Sequence, residues 1–382
     1  MIIKELTNQE FKNFTKKYKL SSLYQTPEYG FVMNEEKYDT LFLGLVDNDT
    51  ILAATLILIK SKGKLKYAYA PRGFLIDYSN YALLDKFTSL IKKYLSKIGI
   101  VAIKINPLVE KDETVFNNLT RLKYRHLGYN NFFEALKPRY EAIIDLKKPY
   151  TDLFKEIKKE FRTKIRGAEK LGIKIYKGKK EELKYLYNQT EKKYPRELEY
   201  YKNIYNFFKD DCEFYYAKLD TYKYLKQASD KVIKEESKNK ILKATKKKDI
   251  ITVKMEKDAL LSKYKEDLIK ANKLVNTYPN GIILATCLIV KNKKEIYLLM
   301  DGYNKRFKSF NAKHILIWKL IEKFSKEGYK VFNLGGIPNP DKYNSKYEGL
   351  KEFKLSFNVK VKEYIGDFEL VTNKALYLLY KK

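Results

Sequence analysis

The sequence predicts a mixed α/β (α+β) fold of two related subdomains in tandem, with an antiparallel helical hairpin inserted into the second. The order strand, strand, helix, strand occurs twice, and the apolar segment 51–60 (ILAATLILIK) resembles 283–291 (ILATCLIVK). Such self-similarity indicates an internal repeat. Residues 220–278 contain neither proline nor glycine, as expected of long helices. Each repeat is therefore expected to form one subdomain with a mixed sheet.

The first repeat begins with the strand 51–60, and a basic turn leads to a second strand at 66–70. A third strand, 100–105, ends near Pro107. Between the second and third strands, apolar residues recur at helical spacing: Leu83, Leu84, Phe87, Leu90, Ile91, Tyr94 and Leu95.

The second repeat has the same order. Strands are predicted at 283–291, 295–300 and 330–334, the last of which ends near Pro338. The helix before the third strand is predicted from Ile315, Leu316, Leu320, Ile321 and Phe324.

The stretch 220–278 is expected to form two antiparallel helices that turn near 243–249 and extend about 35–40 Å at 1.5 Å per residue. It carries 16 lysines against nine acidic residues. Lysines without interleaved arginines or aromatic platforms are a weak signal for nucleic acid. A solvated hairpin is the favoured interpretation, and contact with an RNA backbone is the alternative.

A further amphipathic helix is predicted over 153–171, with Thr151 or Asp152 as its N-cap. One face is apolar, and the other is basic (Lys155, Lys158, Lys159, Arg162, Arg166 and Lys170). That basic face fits either solvent exposure or contact with a polyanion.

Composition limits the classes of function. The net charge of +31 favours an anionic partner, although only eight of the 78 basic residues are arginine and the lysine excess also fits an AT-rich coding bias. Two distant cysteines and two histidines make a disulfide framework or a metal site improbable. The N-terminus lacks the pattern of a signal peptide, and the longest apolar run, 51–59, is too short for a membrane helix. A cytoplasmic soluble protein is expected.

Several kinds of catalytic site are disfavoured. His126 and His314 lie in settings typical of structural histidines, so a hydrolase triad is not expected. The repeat pattern resembles that of acetyltransferases, which grip acetyl-CoA with a glycine-rich loop at a helix start. The equivalent residues here, 306–311 (RFKSFN), contain no glycine, which argues against CoA as a cofactor.

Motifs along nearly the whole chain resemble, in order, those of the FemABX family of non-ribosomal peptidyltransferases. They are 24–29 (YQTPEY), 70–77 (APRGFLID), 104–107 (KINP), 161–172, Arg196 with Tyr200, 333–336 (NLGG) and 349–367 (GLKEFKLSFNVKVKEYIGD). Three positions depart from the family pattern: Met33 replaces a lysine and Asn106 an aspartate, and Met300 replaces a tyrosine whose contact could move to Tyr303.

This resemblance implies two tandem acetyltransferase-like subdomains and, as in some members, a helical arm. We assign 1–145 to the first subdomain, with 371–382 as a candidate completing segment. The ranges 146–219 and 279–370 form the second subdomain, and 220–278 the arm. The implied reaction moves an amino acid from aminoacyl-tRNA, a co-substrate and not a bound cofactor, to an amine of a peptidoglycan precursor, either lipid II or UDP-MurNAc-pentapeptide. Peripheral contact with the inner face of the membrane is a further expectation.

The resemblance also implies roles for individual residues. Lys354, flanked by Phe353 and Leu355, would stabilise the oxyanion of acyl transfer; a lysine stem lying along a strand edge is the alternative. Asp77 would orient or deprotonate the amine, or else serve a turn. Substrate contacts are expected from Arg196, Tyr200, Tyr24, Gln25, Arg72, Phe353 and Tyr303, and no metal is expected. A CoA-dependent acyltransferase and a non-catalytic RNA-binding or scaffold protein remain the alternative functions.

Overall fold

The structure is a computed structural model that describes residues 1–63, 65–130, 137–192, 196–243 and 250–381. Its strands are β1 (Ile2–Glu5), β2 (Asp39–Asp47), β3 (Thr50–Lys62), β4 (Leu65–Ala70), β5 (Ile100–Ile105), β6 (Arg125–His126), β7 (Tyr140–Asp145), β8 (Ile173–Gly178), β9 (Cys212–Leu219), β10 (Ile282–Asn292), β11 (Glu295–Tyr303), β12 (Val331–Ile337), β13 (Lys360–Glu363) and β14 (Phe368–Val371).

The helices follow the same chain order. They are α1 (Asn8–Lys17), α2 (Pro27–Glu35), α3 (Tyr81–Lys97), α4 (Glu113–Arg121), α5 (Tyr150–Glu156), α6 (Lys159–Lys170), α7 (Leu183–Thr190), α8 (Leu198–Phe208), α9 (Thr221–Lys243), α10 (Ile250–Thr277), α11 (Ala312–Lys326), α12 (Ser345–Leu355) and α13 (Lys374–Lys381).

In the described part of the chain, two seven-stranded mixed sheets confirm the predicted fold class. The first has the order β1-β2-β3-β4-β5-β14-β6, and the second β13-β7-β12-β11-β10-β9-β8. Each contains one parallel pair, β4 with β5 and β11 with β12, which flank the predicted helices α3 and α11. The repeated order of elements therefore corresponds to a repeated sheet topology.

Each sheet takes one strand from the sequence range assigned to the other subdomain. The strand β7 lies in the second sheet between β12 and β13, whereas we placed all of 1–145 in the first subdomain. In return, β14 pairs with β5 and β6 in the first sheet, so the completing segment begins at 368 and not at 371. Local sequence pattern cannot show such an exchange, because strand pairing joins residues far apart in the chain.

The helix predicted over 153–171 is two helices, α5 and α6. Ile157 and Lys158 between them have extended backbone conformations, with ψ of 138° and 137°. Ile157 is only 3% exposed, so the break turns an apolar residue into the core. The N-cap of α5 is Pro149, not Thr151 or Asp152.

Among the residues that the structure describes, buried apolar side chains form three clusters. One lies between the first sheet and α3, and another between the second sheet and α11. The third joins the two subdomains and contains residues of α2, α7, α8 and both sheets, including Tyr24, Tyr29, Tyr200 and Tyr297. This interdomain cluster positions the candidate site.

The helices α9 and α10 contact each other in an antiparallel arrangement. Thr221, at the start of α9, donates its hydroxyl to the Tyr278 carbonyl after α10 (2.8 Å), and Lys265 pairs with Glu236 (3.0 Å). Near their base, Ala271 is fully buried. The predicted turn at 243–249 falls almost wholly on 244–249, outside the described residues. Within the described part of the chain, no helix is both long enough and apolar enough to span a membrane.

Candidate functional site

A buried ion pair connects the two subdomains at the centre of the site. Arg72, which follows β4, places Nη2 2.7 Å from Oε1 of Glu141 on β7. Glu141 also accepts hydrogen bonds from Tyr297 (3.1 Å), Tyr364 (3.1 Å) and Asn333 (2.9 Å). Burial favours a higher pKa for Glu141, but the Arg72 charge and these donors outweigh it and lower the pKa. The carboxylate therefore stays ionised inside the protein.

Two residues expected to bind substrate have their polar groups engaged inside the protein. Arg72 is 2% exposed; besides Glu141, its guanidinium binds the Pro138 carbonyl at 2.8 Å. Gln25 is fully buried, and its amide binds the backbone of Leu56 and Pro71 at 2.7–3.1 Å. The sequence motifs identified both positions but could not show that their polar atoms are engaged within the protein.

Tyrosines and a cation come together between the two subdomains, in a region that we call the interdomain cleft: Tyr24, Tyr29, Arg196, Tyr200 and Tyr297. Tyr24 packs edge-on against Tyr29 (5.1 Å between ring centroids) and Tyr297 (5.8 Å). Arg196 lies over the ring of Tyr200 at 4.7 Å. Burial raises the pKa of Tyr200 to about 12, so its hydroxyl remains a hydrogen-bond donor at neutral pH. The structure thus places three predicted residues, Tyr24, Arg196 and Tyr200, along one cleft.

Arg196 is the most accessible of these cleft residues. Its side chain is 44% exposed, and Nη1 binds Glu36 at 3.1 Å. An exposed ion pair of this kind contributes little stability. The guanidinium can therefore exchange this contact for an anionic ligand at small cost.

Lys137 also enters this cleft, and sequence reasoning missed it. Its Nζ lies 3.2 Å from the ring centroid of Tyr24 and 5.6 Å from that of Tyr29. The only local signal was a Lys-Pro-Arg run just before β7. Nothing in that run indicates contact with a tyrosine more than a hundred residues earlier.

Lys354 lies at the end of α12 and not along a strand edge. It is 5% exposed, and its Nζ donates to the carbonyls of Leu334 (2.5 Å) and Gly336 (2.7 Å) on β12. The strand pair β11 and β12 is hydrogen-bonded only over Glu295–Tyr297 and Val331–Asn333. The two carbonyls that bind Lys354 therefore belong to the part of β12 that follows its pairing with β11.

Gly335 lies close to the Lys354 ammonium. A Cβ built at this glycine would lie 3.3 Å from the Leu298 carbonyl oxygen and 3.8 Å from both the Lys354 Nζ and the Tyr297 hydroxyl, and the residue has a φ of +73°. The segment 333–336 contains an irregularity in the pairing of β12 with β7. Because Tyr297 also packs against Tyr24, Gly335 and the Lys354 ammonium lie next to the interdomain cleft.

A cavity of about 770 Å³ lies at the start of α11 in the second subdomain. Its walls include Phe353, Tyr303 and His314. Tyr303 is 40% exposed. Five lysines also line this basic cavity: Lys164, Lys305, Lys308, Lys313 and Lys346. Phe353 lines this cavity, and the ammonium of Lys354, the next residue, lies near Tyr297 of the interdomain cleft, so the end of α12 lies between the cleft and the basic cavity.

The remaining predicted residues are placed as follows. Asp77 is exposed in a turn before α3, where it accepts hydrogen bonds from the Ser79 hydroxyl (2.5 Å) and amide (3.0 Å). These bonds, the hydroxyl bond foremost, lower its pKa, which makes it a weak base. Met33 is 4% exposed in the apolar interdomain cluster, so no phosphate contact arises there.

Comparison with known proteins places this two-subdomain molecule among acyl-transferring enzymes. A model of the FemAB family matches residues 6–382, so the chain belongs to the FemAB family. The crystal structure of FemX aligns over 100% of both chains with a TM-score of 0.79 and 23% identity, which supports the fold.

Two curated relatives have similar lengths. A lipid II:glycine glycyltransferase of Staphylococcus haemolyticus is 25% identical over 99% of this chain and 94% of that protein. The aminoacyltransferase FemB of Staphylococcus epidermidis is 29% identical over 98% of this chain and 96% of that protein.

Proposed function

We propose that this chain is an aminoacyltransferase that moves an amino acid from aminoacyl-tRNA to an amine of a peptidoglycan precursor, and so builds interpeptide cross-bridges. The observation that carries the proposal is the position of Lys354, a nearly buried lysine between the interdomain cleft and the basic cavity. The names of the relatives support the reaction class. The acceptor is lipid II or its soluble UDP-linked precursor.

The proposed chemistry needs little acid–base machinery. The acceptor amine attacks the carbonyl carbon of the aminoacyl ester, a C–N bond forms, and the C–O bond to the tRNA ribose breaks. The amine loses a proton and the ribose oxygen gains one. The ester is already activated, so positioning and stabilisation of the tetrahedral oxyanion dominate. The Lys354 ammonium would supply that stabilisation.

We assign the interdomain cleft to the precursor. Arg196 offers an accessible guanidinium, which can bind two phosphate oxygens at once. Tyr200 adds a protonated hydroxyl and a ring face. A diphosphate-bearing acceptor with sugar and peptide groups matches this combination. If the acceptor is lipid-linked, the protein works at the inner face of the membrane.

We assign the basic cavity to the 3′ end of the tRNA. Its five lysines suit a polyanion, and the half-exposed ring of Tyr303 offers a surface on which a base can stack. The segment 305–311 before α11 lacks the glycines with which acetyltransferases hold CoA. These features favour an RNA-linked donor over a CoA thioester.

A transfer assay tests the proposal. Purified protein receives radiolabelled aminoacyl-tRNA with lipid II, with UDP-MurNAc-pentapeptide or with neither, and acetyl-CoA replaces the tRNA in a parallel reaction. We expect label on a precursor only when charged tRNA is present. Acetyl transfer from CoA, or no transfer from any tested aminoacyl-tRNA, would contradict the proposal.

A further inference from the structure

Lys137 is a cation held among aromatic rings and other cations. Its Nζ lies 3.2 Å from the centroid of the Tyr24 ring, and the positive charges of Arg72 and Arg196 act on it. Among the described residues, no carboxylate lies within 4 Å of its Nζ. Glu141 is the carboxylate whose charge acts on Lys137. The Glu141 oxygens already accept hydrogen bonds from Arg72, Tyr297, Tyr364 and Asn333.

This arrangement disfavours the charged form of the lysine. Burial, followed by the Arg72 charge, lowers the pKa of Lys137 well below its ordinary value. The face of the Tyr24 ring compensates for this only in part, since a cation–π contact is a modest attraction. An anion in the cleft would relieve the repulsion among the three cations.

The position of Lys137 is fixed by its neighbours. The carbonyl of Pro138, the next residue, accepts a hydrogen bond from Arg72 at 2.8 Å, and β7 begins at Tyr140. The backbone beside Lys137 is therefore held by the interdomain ion pair, and its Nζ lies beside Tyr24 and Tyr29.

We infer that Lys137 is an anion-binding residue of the interdomain cleft. Its ammonium, just before β7, pairs with the diphosphate of the acceptor, and Arg196, just before α8, binds the same diphosphate. This inference rests on the proposed assignment of the cleft to the precursor. A lysine acts on phosphate as a point charge, whereas arginine supplies a directional fork of donors. Convergence of several positive charges suits a doubly charged diphosphate better than a single carboxylate.

Isothermal titration calorimetry without tRNA tests this role. The probes are UDP-MurNAc-pentapeptide, UDP alone and the free stem pentapeptide, and the proteins are the parent, Lys137→Met, Lys137→Arg and the control Lys147→Met. Lys147 is exposed in the turn after β7. Thermal unfolding of each variant verifies that the fold is retained.

We expect Lys137→Met to bind UDP-MurNAc-pentapeptide about 10- to 100-fold more weakly, as for loss of a charged hydrogen bond. Lys137→Arg should retain most of the affinity, and Lys147→Met should match the parent. UDP should show the same loss, because it carries the diphosphate. Unchanged affinity in Lys137→Met, or an equal loss for the free pentapeptide, would overturn the inference alone. A parent protein that binds none of the probes would overturn the assignment of the cleft as well.

Discussion

Arg72 and Glu141 form the polar centre of the interdomain contact: their charged atoms lie 2.7 Å apart, and each side chain is 2% exposed. Arg72 lies two residues beyond the end of β4 in the first sheet, and Glu141 lies on β7 in the second. Tyr364 stacks on the guanidinium at 4.4 Å and donates its hydroxyl to the carboxylate. The pair thus fixes the two sheets relative to each other, and with them the cleft.

Removing one partner of this pair should destabilise the protein strongly. Arg72→Met leaves the Glu141 charge buried without its counter-ion, so we expect a loss of about 3–5 kcal/mol in the free energy of unfolding. Arg72→Met combined with Glu141→Gln should recover part of that loss. Urea unfolding measures both variants. Lys202→Ala, which removes an exposed pair with Glu199 on α8, is the control and should change stability by less than about 1 kcal/mol. An Arg72→Met protein as stable as the parent would show that the pair does not hold the interface.

Replacement of Lys354 should impair turnover much more than binding. Lys354→Met removes the proposed oxyanion-stabilising charge, and we expect kcat to fall about 10²- to 10³-fold while the Kd for precursor stays within about threefold. Steady-state transfer kinetics and calorimetry measure the two quantities. Lys351→Met on the same helix, where the lysine pairs with Glu348, should retain the parent rate. Parent kinetics in Lys354→Met would rule out this role.

The sequence allowed the repeated subdomains to be predicted, because strand and helix periodicities are local properties. Segments 51–60, 66–70 and 100–105 correspond to β3, β4 and β5 within two residues at each end. The exchange of β7 and β14 between the sheets was not predictable, since it depends on pairing between distant residues. The break at Ile157 escaped detection because helical periodicity continues across it.

The site was predictable only where a motif marked it. Arg196, Tyr200 and Lys354 were identified from spacing and family resemblance. The structure places Arg196 and Tyr200 in the interdomain cleft, and Lys354 between this cleft and the basic cavity. Gln25 and Arg72 were identified by the same signal, yet their polar groups bind backbone and Glu141. A motif therefore marks a constrained position without distinguishing a ligand contact from an internal one.

Arg196→Ala should weaken precursor binding with little effect on the chemical step. The exposed guanidinium is proposed to bind phosphate, so we expect a Kd increase of about 10-fold or more and a kcat within about threefold of the parent. Saturation kinetics with UDP-MurNAc-pentapeptide separates the two effects. Lys209→Ala serves as the control, because Lys209 is exposed just beyond the end of α8, at the opposite end of this helix from Arg196. A kcat loss without a change in Kd would assign Arg196 to the chemical step instead.

The pH dependence of stability should reveal His314. Burial, with help from Lys164 and Lys313, lowers the pKa of His314 from 6.5 to about 4, while its ring packs between Phe161 and Phe353. As the pH falls, the unfolded state binds the proton before the folded state does. The contribution of neutral His314 to the free energy of unfolding is therefore complete above pH 6.5 and is lost as the pH falls towards 4. We expect the parent to lose about 2–3 kcal/mol more than His314→Gln between about pH 7 and pH 4. Urea unfolding at several pH values measures the difference, and parallel curves would contradict it.

The basic cavity should determine the salt dependence of tRNA binding. Lys305 and Lys308 are exposed before α11 and line this cavity. If each neutralises one phosphate of the single-stranded 3′ end, their combined replacement by alanine should reduce the slope of log K against log salt by about 1.4. Filter binding of aminoacyl-tRNA at several salt concentrations measures that slope. Lys86→Ala with Lys93→Ala removes the same charge from the exposed side of α3 in the first subdomain and should leave the slope unchanged. Equal reductions in both double variants would mean that net charge, and not the basic cavity, attracts the tRNA.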